Sequence, residues 1–217
     1  AMAAIVGVDA PTNAAERRRL WRQAGVVVDE TSSTVLALGL SPLDAGPLTG
    51  AATAWFAHGM VVPLTLRMVS AEPWRVAPGT VVWACENPTV IEAAADRGVA
   101  APMVCVAGNP SMAVRMLLNS LMEGGADVRY HGDFGSGGLA IGNLVIGELG
   151  VRPWRFGATD HEAATTALGP GTSRLPPLRG RVPEASWDAE LASRVRACGV
   201  EGGGEHVLEI LLADLGN

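Results

Sequence analysis

The chain has 217 residues, room for one large domain or two small ones, and its 48% apolar content excludes a disordered chain. A formal net charge of −6 excludes coating nucleic acid by charge alone. It leaves open an enzyme whose metal ions supply the positive charge. No apolar run reaches the ~18 residues of a membrane span, and no secretory leader is visible, so neither is expected. Cys85, Cys105 and Cys198 are odd in number and widely spaced, as expected of reduced thiols in the cytoplasm.

Asn13 and Glu16 have the spacing of a capping box and open a helix to about residue 24. Arg17, Arg18, Arg19 and Arg22 on it read first as a solvated face and second as a phosphate contact. A β-branched strand is predicted over 33–40, a Pro/Gly-rich connection over 42–50, a helix over 51–58 and a strand over 61–69. A regular alternation follows. Strands are predicted over 81–85, 103–107, 128–132 and 154–156, and helices over 88–97, 111–123 and 139–149. Pro88 stands in the first turn of its helix, where a missing N–H costs nothing. Residues 158–181 read mostly as loop, and helices over 188–198 and 206–215 close the chain. This pattern implies an α/β fold, a mostly parallel sheet flanked by helices with N- and C-terminal helical and strand extensions. It divides into a flanking segment (1–74) packed on the core, a core (75–165), and a loop with C-terminal helices (166–217).

Chemistry in open parallel sheets collects at the carboxyl ends of the strands. Two acids stand there: Glu86, ending "VVWACE", and Asp133, in "YHGDFGSGG". Asn87 and Ser136 beside them are candidates to orient phosphate or water. Carboxylates at strand ends are also common turn and cap residues, so the two acids alone decide little. Tyr130, the only tyrosine, lies an odd number of residues from Asp133 and is expected to pack in the core.

A strand ending in Glu, two βα units, and a strand ending in the first Asp of a D-x-D pattern resembles the Toprim layout. Its acids bind magnesium, and its Glu takes part in proton transfer during phosphodiester cleavage. The segments "VVWACENPTVIEAAADRG", "APMVCVAGNPSMAVRMLL", "VRYHGDFGSGGLAI" and "RPWRFGATDHEAA" resemble the D subunit of the Wadjet anti-plasmid systems. That branch is encoded beside a condensin-like SMC ATPase, and its Toprim domain resembles the topoisomerase VI A subunit. The resemblance runs from about residue 25 to residue 215. It implies a Mg2+-dependent endonuclease acting on double-stranded DNA, with Mn2+ able to substitute. Glu86 and Asp133 would be both catalytic and metal-binding. It further implies an SMC-like ATPase complex as partner, a homodimer by analogy, no membrane, and an N-terminal region preceding this portion.

The family pattern is HGDFD, and Gly135 replaces its last aspartate. One carboxylate is therefore missing, which is expected to weaken metal binding. Glu205, ahead of the final helix, is the candidate substitute, although an acid there also suits a helix N-terminus. His131 is expected to be structural, and Asp160, His161 and Glu162 to open a helix. A rival reading takes Gly135 as the mark of a weak or inactive Toprim domain that docks DNA or a partner. A nucleotide-binding loop at "GDFGSGGLAIG" fits poorly, because no G-x-G-x-x-G follows the first strand. Cys85 and Cys105 have no histidine partner in a recognisable motif and read as buried thiols.

Overall fold

A computed structural model describes Glu16, Leu20, Trp21 and Gln23, and residues 29–168, 175–202 and 207–216. Most of the arginine-bearing segment expected near residues 13–24 lies outside the described residues. Strands β1 (Thr34–Leu38), β2 (Val62–Thr65), β3 (Val81–Cys85), β4 (Met103–Cys105), β5 (Asp127–His131) and β6 (Arg152–Pro153) form a single sheet in the order β2-β1-β4-β3-β5-β6. β3 pairs in parallel with β4 and β5, and β5 with β6. β1 is antiparallel to both neighbours, so it alone runs against the rest. β1 and β2, from the segment expected to flank the core, are thus hydrogen-bonded members of its sheet.

Helices cover both faces. They are α1 (Pro47–Phe56), α2 (Leu66–Ala71), α3 (Pro88–Asp96), α4 (Met112–Glu123), α5 (Ser136–Gly142), α6 (Ala158–Leu168), α7 (Leu191–Cys198) and α8 (Leu208–Leu215). α4 buries Val114, Leu117, Leu118 and Leu121, an i, i+3, i+4, i+7 stripe, and begins where the Ser111 hydroxyl accepts the Val114 N–H. α3 buries Val90, Ile91 and Ala94. The core joins these to Trp74, Tyr130, Phe156 and Leu139, all essentially inaccessible to water.

Four elements differ from expectation. The apolar run 61–69 is strand only to Thr65, whose hydroxyl accepts the Met68 N–H and starts α2. The helix expected over 139–149 begins at Ser136 and widens into a π-helical turn over Asn143–Glu148. The strand expected over 154–156 is a two-residue pairing at Arg152–Pro153. The helix expected to open at Asp160, His161 and Glu162 is α6, which runs on to Leu168 within a segment read mostly as loop; Thr165 there bonds back to the His161 carbonyl instead of breaking the turn.

The topology prepares a particular place. From β3 the chain crosses left to β4, then back over β3 to β5, then on to β6. Right-handed crossovers therefore send α3 to one face, and α4 and α5 to the other. The helices leaving β3 and β5 diverge, which opens a crevice at the carboxyl ends of these two adjacent strands. The sheet's outer strands, β2 and β6, are short and each holds a proline, Pro63 and Pro153.

Candidate active site

Cys85 stands opposite His131 in the β3–β5 ladder, so the residues just beyond them meet at the crevice. The Glu86 N–H donates to the His131 carbonyl at 3.0 Å. The Asp133 N–H donates to Glu86 Oε2 at 3.1 Å. The two acids are therefore stitched together through backbone as well as proximity. On its other side Glu86 accepts the Ala107 N–H on its carbonyl at 3.1 Å. Ala107 adopts φ +52°, a left-handed conformation costly to a residue with a Cβ, at the end of β4.

Burial, and next the Asp133 carboxylate, push the Glu86 carboxyl up from its ordinary 4.5 to about 7. The Asp133 N–H, and next the Tyr130 hydroxyl, oppose that rise without cancelling it. Glu86 can thus exchange a proton near neutrality, and a cation between the two acids would favour its charged form.

His131 is wholly buried among Phe134, Trp154 and Phe156. Its Nδ1 lies 3.1 Å from the carbonyls of both Trp154 and Arg155, so Nδ1 carries the proton. Burial pulls its pKa down to about 4, so the ring is neutral and ties β5 to the chain after β6. Asn87 caps α3, its side-chain oxygen accepting the Thr89 N–H at 3.0 Å. Ser136 donates to the Arg179 carbonyl at 2.6 Å, holding the 176–202 segment against the turn. Glu205 lies outside the described residues.

Gly135 has extended backbone, φ −163° and ψ 179°, which any residue adopts. Its missing side chain is a matter of space. A Cβ there would meet Glu201 Cγ at 3.2 Å and Cδ at 3.4 Å. Reciprocal bonds between Phe134 and Gly202, 2.7 and 3.0 Å, carry Glu201 to this place. Sequence reasoning missed Glu201 and chose Glu205. The available signal was an acid immediately ahead of the glycine run, but only a long-range pairing brings it to the turn. Gly138 is required for contact: a Cβ there would lie 1.9 Å from the Asp133 carbonyl oxygen.

Among the described residues no three of His, Cys, Asp and Glu are grouped to hold a metal ion. Two adjacent carboxylates still suit Mg2+, which takes hard oxygens and keeps waters in its other positions. Cys85 and Cys105 are register partners, buried, with their thiols turned to the Asn87 and Glu86 carbonyls. The Cys105 thiol, and next burial, push Cys85 upward, away from thiolate. On the sheet surface a groove of about 690 Å3 is lined by Trp83, Arg129, Arg152, Trp154 and Arg155. Asp127 pairs with Arg129 and Arg152, and Asp214 with Arg155, so these arginines are already matched by carboxylates.

Fold and site together define an α/β domain with paired acids at the switch point of a mostly parallel sheet. The chain belongs to the family described as protein of unknown function C-terminus (DUF2399), whose model matches residues 62–215. Residues 1–42 match the model described as protein of unknown function N-terminus (DUF3323). No curated protein matches the chain. Among the described residues no helix is long and apolar enough to cross a membrane.

Proposed function

We propose that this chain is the nuclease of a Wadjet-type plasmid-defence complex. Its reaction would be divalent-metal-dependent hydrolysis of phosphodiesters in double-stranded DNA. One observation carries the reading: Glu86 and Asp133 lie on adjacent parallel strand ends, joined by the Asp133 N–H···Glu86 Oε2 bond. The sheet and its acid order support a Toprim-like domain. The matches to the DUF2399 and DUF3323 models, families associated with the Wadjet D subunit, support the assignment to that system.

Glu86 and Asp133 would hold Mg2+, or Mn2+ in its place. When bound, the ion supplies polarisation of a phosphoryl oxygen and activation of a water. Asp133 supplies the second carboxylate from its turn. Glu86, with its pKa near neutrality, accepts a proton at its carboxylate and releases it. His131 keeps water out and the two strand ends in register. With no tyrosine beside the acids except the buried Tyr130, hydrolysis fits better than a covalent protein–DNA intermediate. The acidic chain would rely on the SMC-like ATPase complex, and on a second copy in a homodimer, for most DNA contacts. Binding by that assembly should weaken steeply with salt.

The rival reading is a docking module acting in the same cytoplasmic complex. It is favoured by Gly135 and by the two-carboxylate site among the described residues. Supercoiled plasmid, incubated with the chain or its SMC assembly and Mg2+ or Mn2+, separates the two. The nuclease reading expects nicked and linear products that vanish in Glu86→Gln and Asp133→Ala. Retained partner or DNA binding in every variant, with no cleavage by any, would sink it in favour of docking.

A further inference from the structure

Tyr130 is the chain's only tyrosine and is inaccessible to water. Its ring packs edge-on against Phe156, with centroids 5.9 Å apart. Among the described residues its hydroxyl makes no hydrogen bond of full geometry, a state that buried phenols rarely keep, yet its pull is one of the effects that hold the Glu86 carboxyl down. The backbone explains where that oxygen points. Tyr130 stands opposite Ala84 in the β3–β5 ladder, and Glu86 lies two residues beyond Ala84. Residues two apart project from the same face, so Tyr130 and Glu86 are diagonal neighbours, within reach of long side chains. A Cβ at Gly132 would come within 2.9 Å of the hydroxyl oxygen and 3.0 Å of the Phe156 ring. The glycine between His131 and Asp133 is thus what leaves the phenol room beneath the acid pair. Burial and then the Glu86 charge keep the phenol protonated, so it can act only as donor toward that carboxylate.

We propose that Tyr130 is the positioning residue of the acid pair, its hydroxyl donating to the Glu86 carboxylate and holding it toward Asp133. The consequence for metal binding rests on the nuclease reading; the contact itself does not. The orphaned hydroxyl then has a use: it and the Asp133 N–H grip the same carboxylate from two sides, leaving its remaining lone pairs for a cation.

A single tyrosine makes the test direct. Labelling with 3-fluorotyrosine yields one 19F resonance. In metal-free protein, Glu86→Gln should shift that resonance more than Asp127→Asn, a control at the opposite end of β5. Equal or absent shifts overturn the contact. Separately, Tyr130→Phe keeps the ring and should retain the melting temperature within a few degrees. It should also weaken Mn2+ binding, read by electron paramagnetic resonance, about tenfold, the scale of one hydrogen bond to a charged group. Unchanged Mn2+ affinity in a folded Tyr130→Phe overturns the positioning role. Absence of Mn2+ binding by the unsubstituted chain overturns the metal reading, while the metal-free shift still decides the contact.

Discussion

Glu86→Gln should stabilise the metal-free chain at alkaline pH while abolishing any cleavage. The carboxyl is raised from 4.5 to about 7, by burial first and Asp133 second. Between those values the folded state keeps a proton that the unfolded chain has released. Folding therefore binds protons, and stability falls as pH rises through this window. Below about pH 4.5 the group carries no penalty, and above about pH 7 the penalty is complete. At 1.36 kcal/mol per unit the ceiling is about 3 kcal/mol, and residual solvent at the half-buried Glu86 lowers it. Glutamine keeps an oxygen for the Asp133 N–H and never ionises. Urea unfolding in a chelator, at about pH 5 and about pH 8, measures the gap between variant and parent. Titrating groups remote from position 86 contribute equally to both proteins, so the gap isolates Glu86 together with its coupling to Asp133. It should widen toward alkaline pH by up to about 3 kcal/mol, and Mg2+ should close it by stabilising the parent. A gap equal at both pH values, or wider in acid, would refute the claim that burial and Asp133 destabilise the Glu86 charge.

The acid limb should belong in part to His131, whose pKa is pulled down to about 4. Its contribution is full above about pH 6.5 and is lost as pH falls toward 4, so His131→Gln should flatten that limb while costing about 2 kcal/mol at neutrality. Gly138→Ala should cost about 3 kcal/mol or more, because its Cβ would strike the Asp133 carbonyl. Gly137→Ala, with open space around it, should be neutral or stabilising by up to about 1 kcal/mol, and thermal melts of both glycine variants check the pair. Gly135→Asp should strengthen Mg2+ binding little by calorimetry, since the new carboxylate would crowd Glu201. Gly135→Asp combined with Glu201→Ala should bind more tightly than either single variant.

Both ends of the acid pair were legible in the sequence because each follows a short strand and precedes a cap or glycine turn. Local chemistry announced the boundary at Asn87-Pro88 and at Gly132-Asp133. The Thr65 boundary was hidden, because apolar residues recur on both sides of it, from β2 into α2, and the threonine cap divides the two elements. The extent of α6 was hidden for another reason: beyond its acidic start it is rich in Ala and Thr and has no marked apolar stripe, so packing beside α7 decides how far it runs. Asn87 and Ser136 were found in the right neighbourhood, but their polar atoms hold a helix start and a loop there. Glu201 was beyond any local rule. A pairing between Phe134 and Gly202, 68 positions apart, sets its place. The same holds for the Tyr130 hydroxyl. Alternation along one strand pointed it away from Asp133, whereas the neighbouring strand's register brings it to Glu86.

The prolines on the outermost strands bear on how the molecule behaves in a crowd. Pro63 and Pro153 each remove a donor from a rim only four or two residues long. A second sheet finds almost no ladder to continue on either side. Copies gathered at high local density would therefore resist fusing strand to strand into fibres. Any lasting pairing of two copies must instead form through helical faces and side chains, where individual residues can set which partner fits.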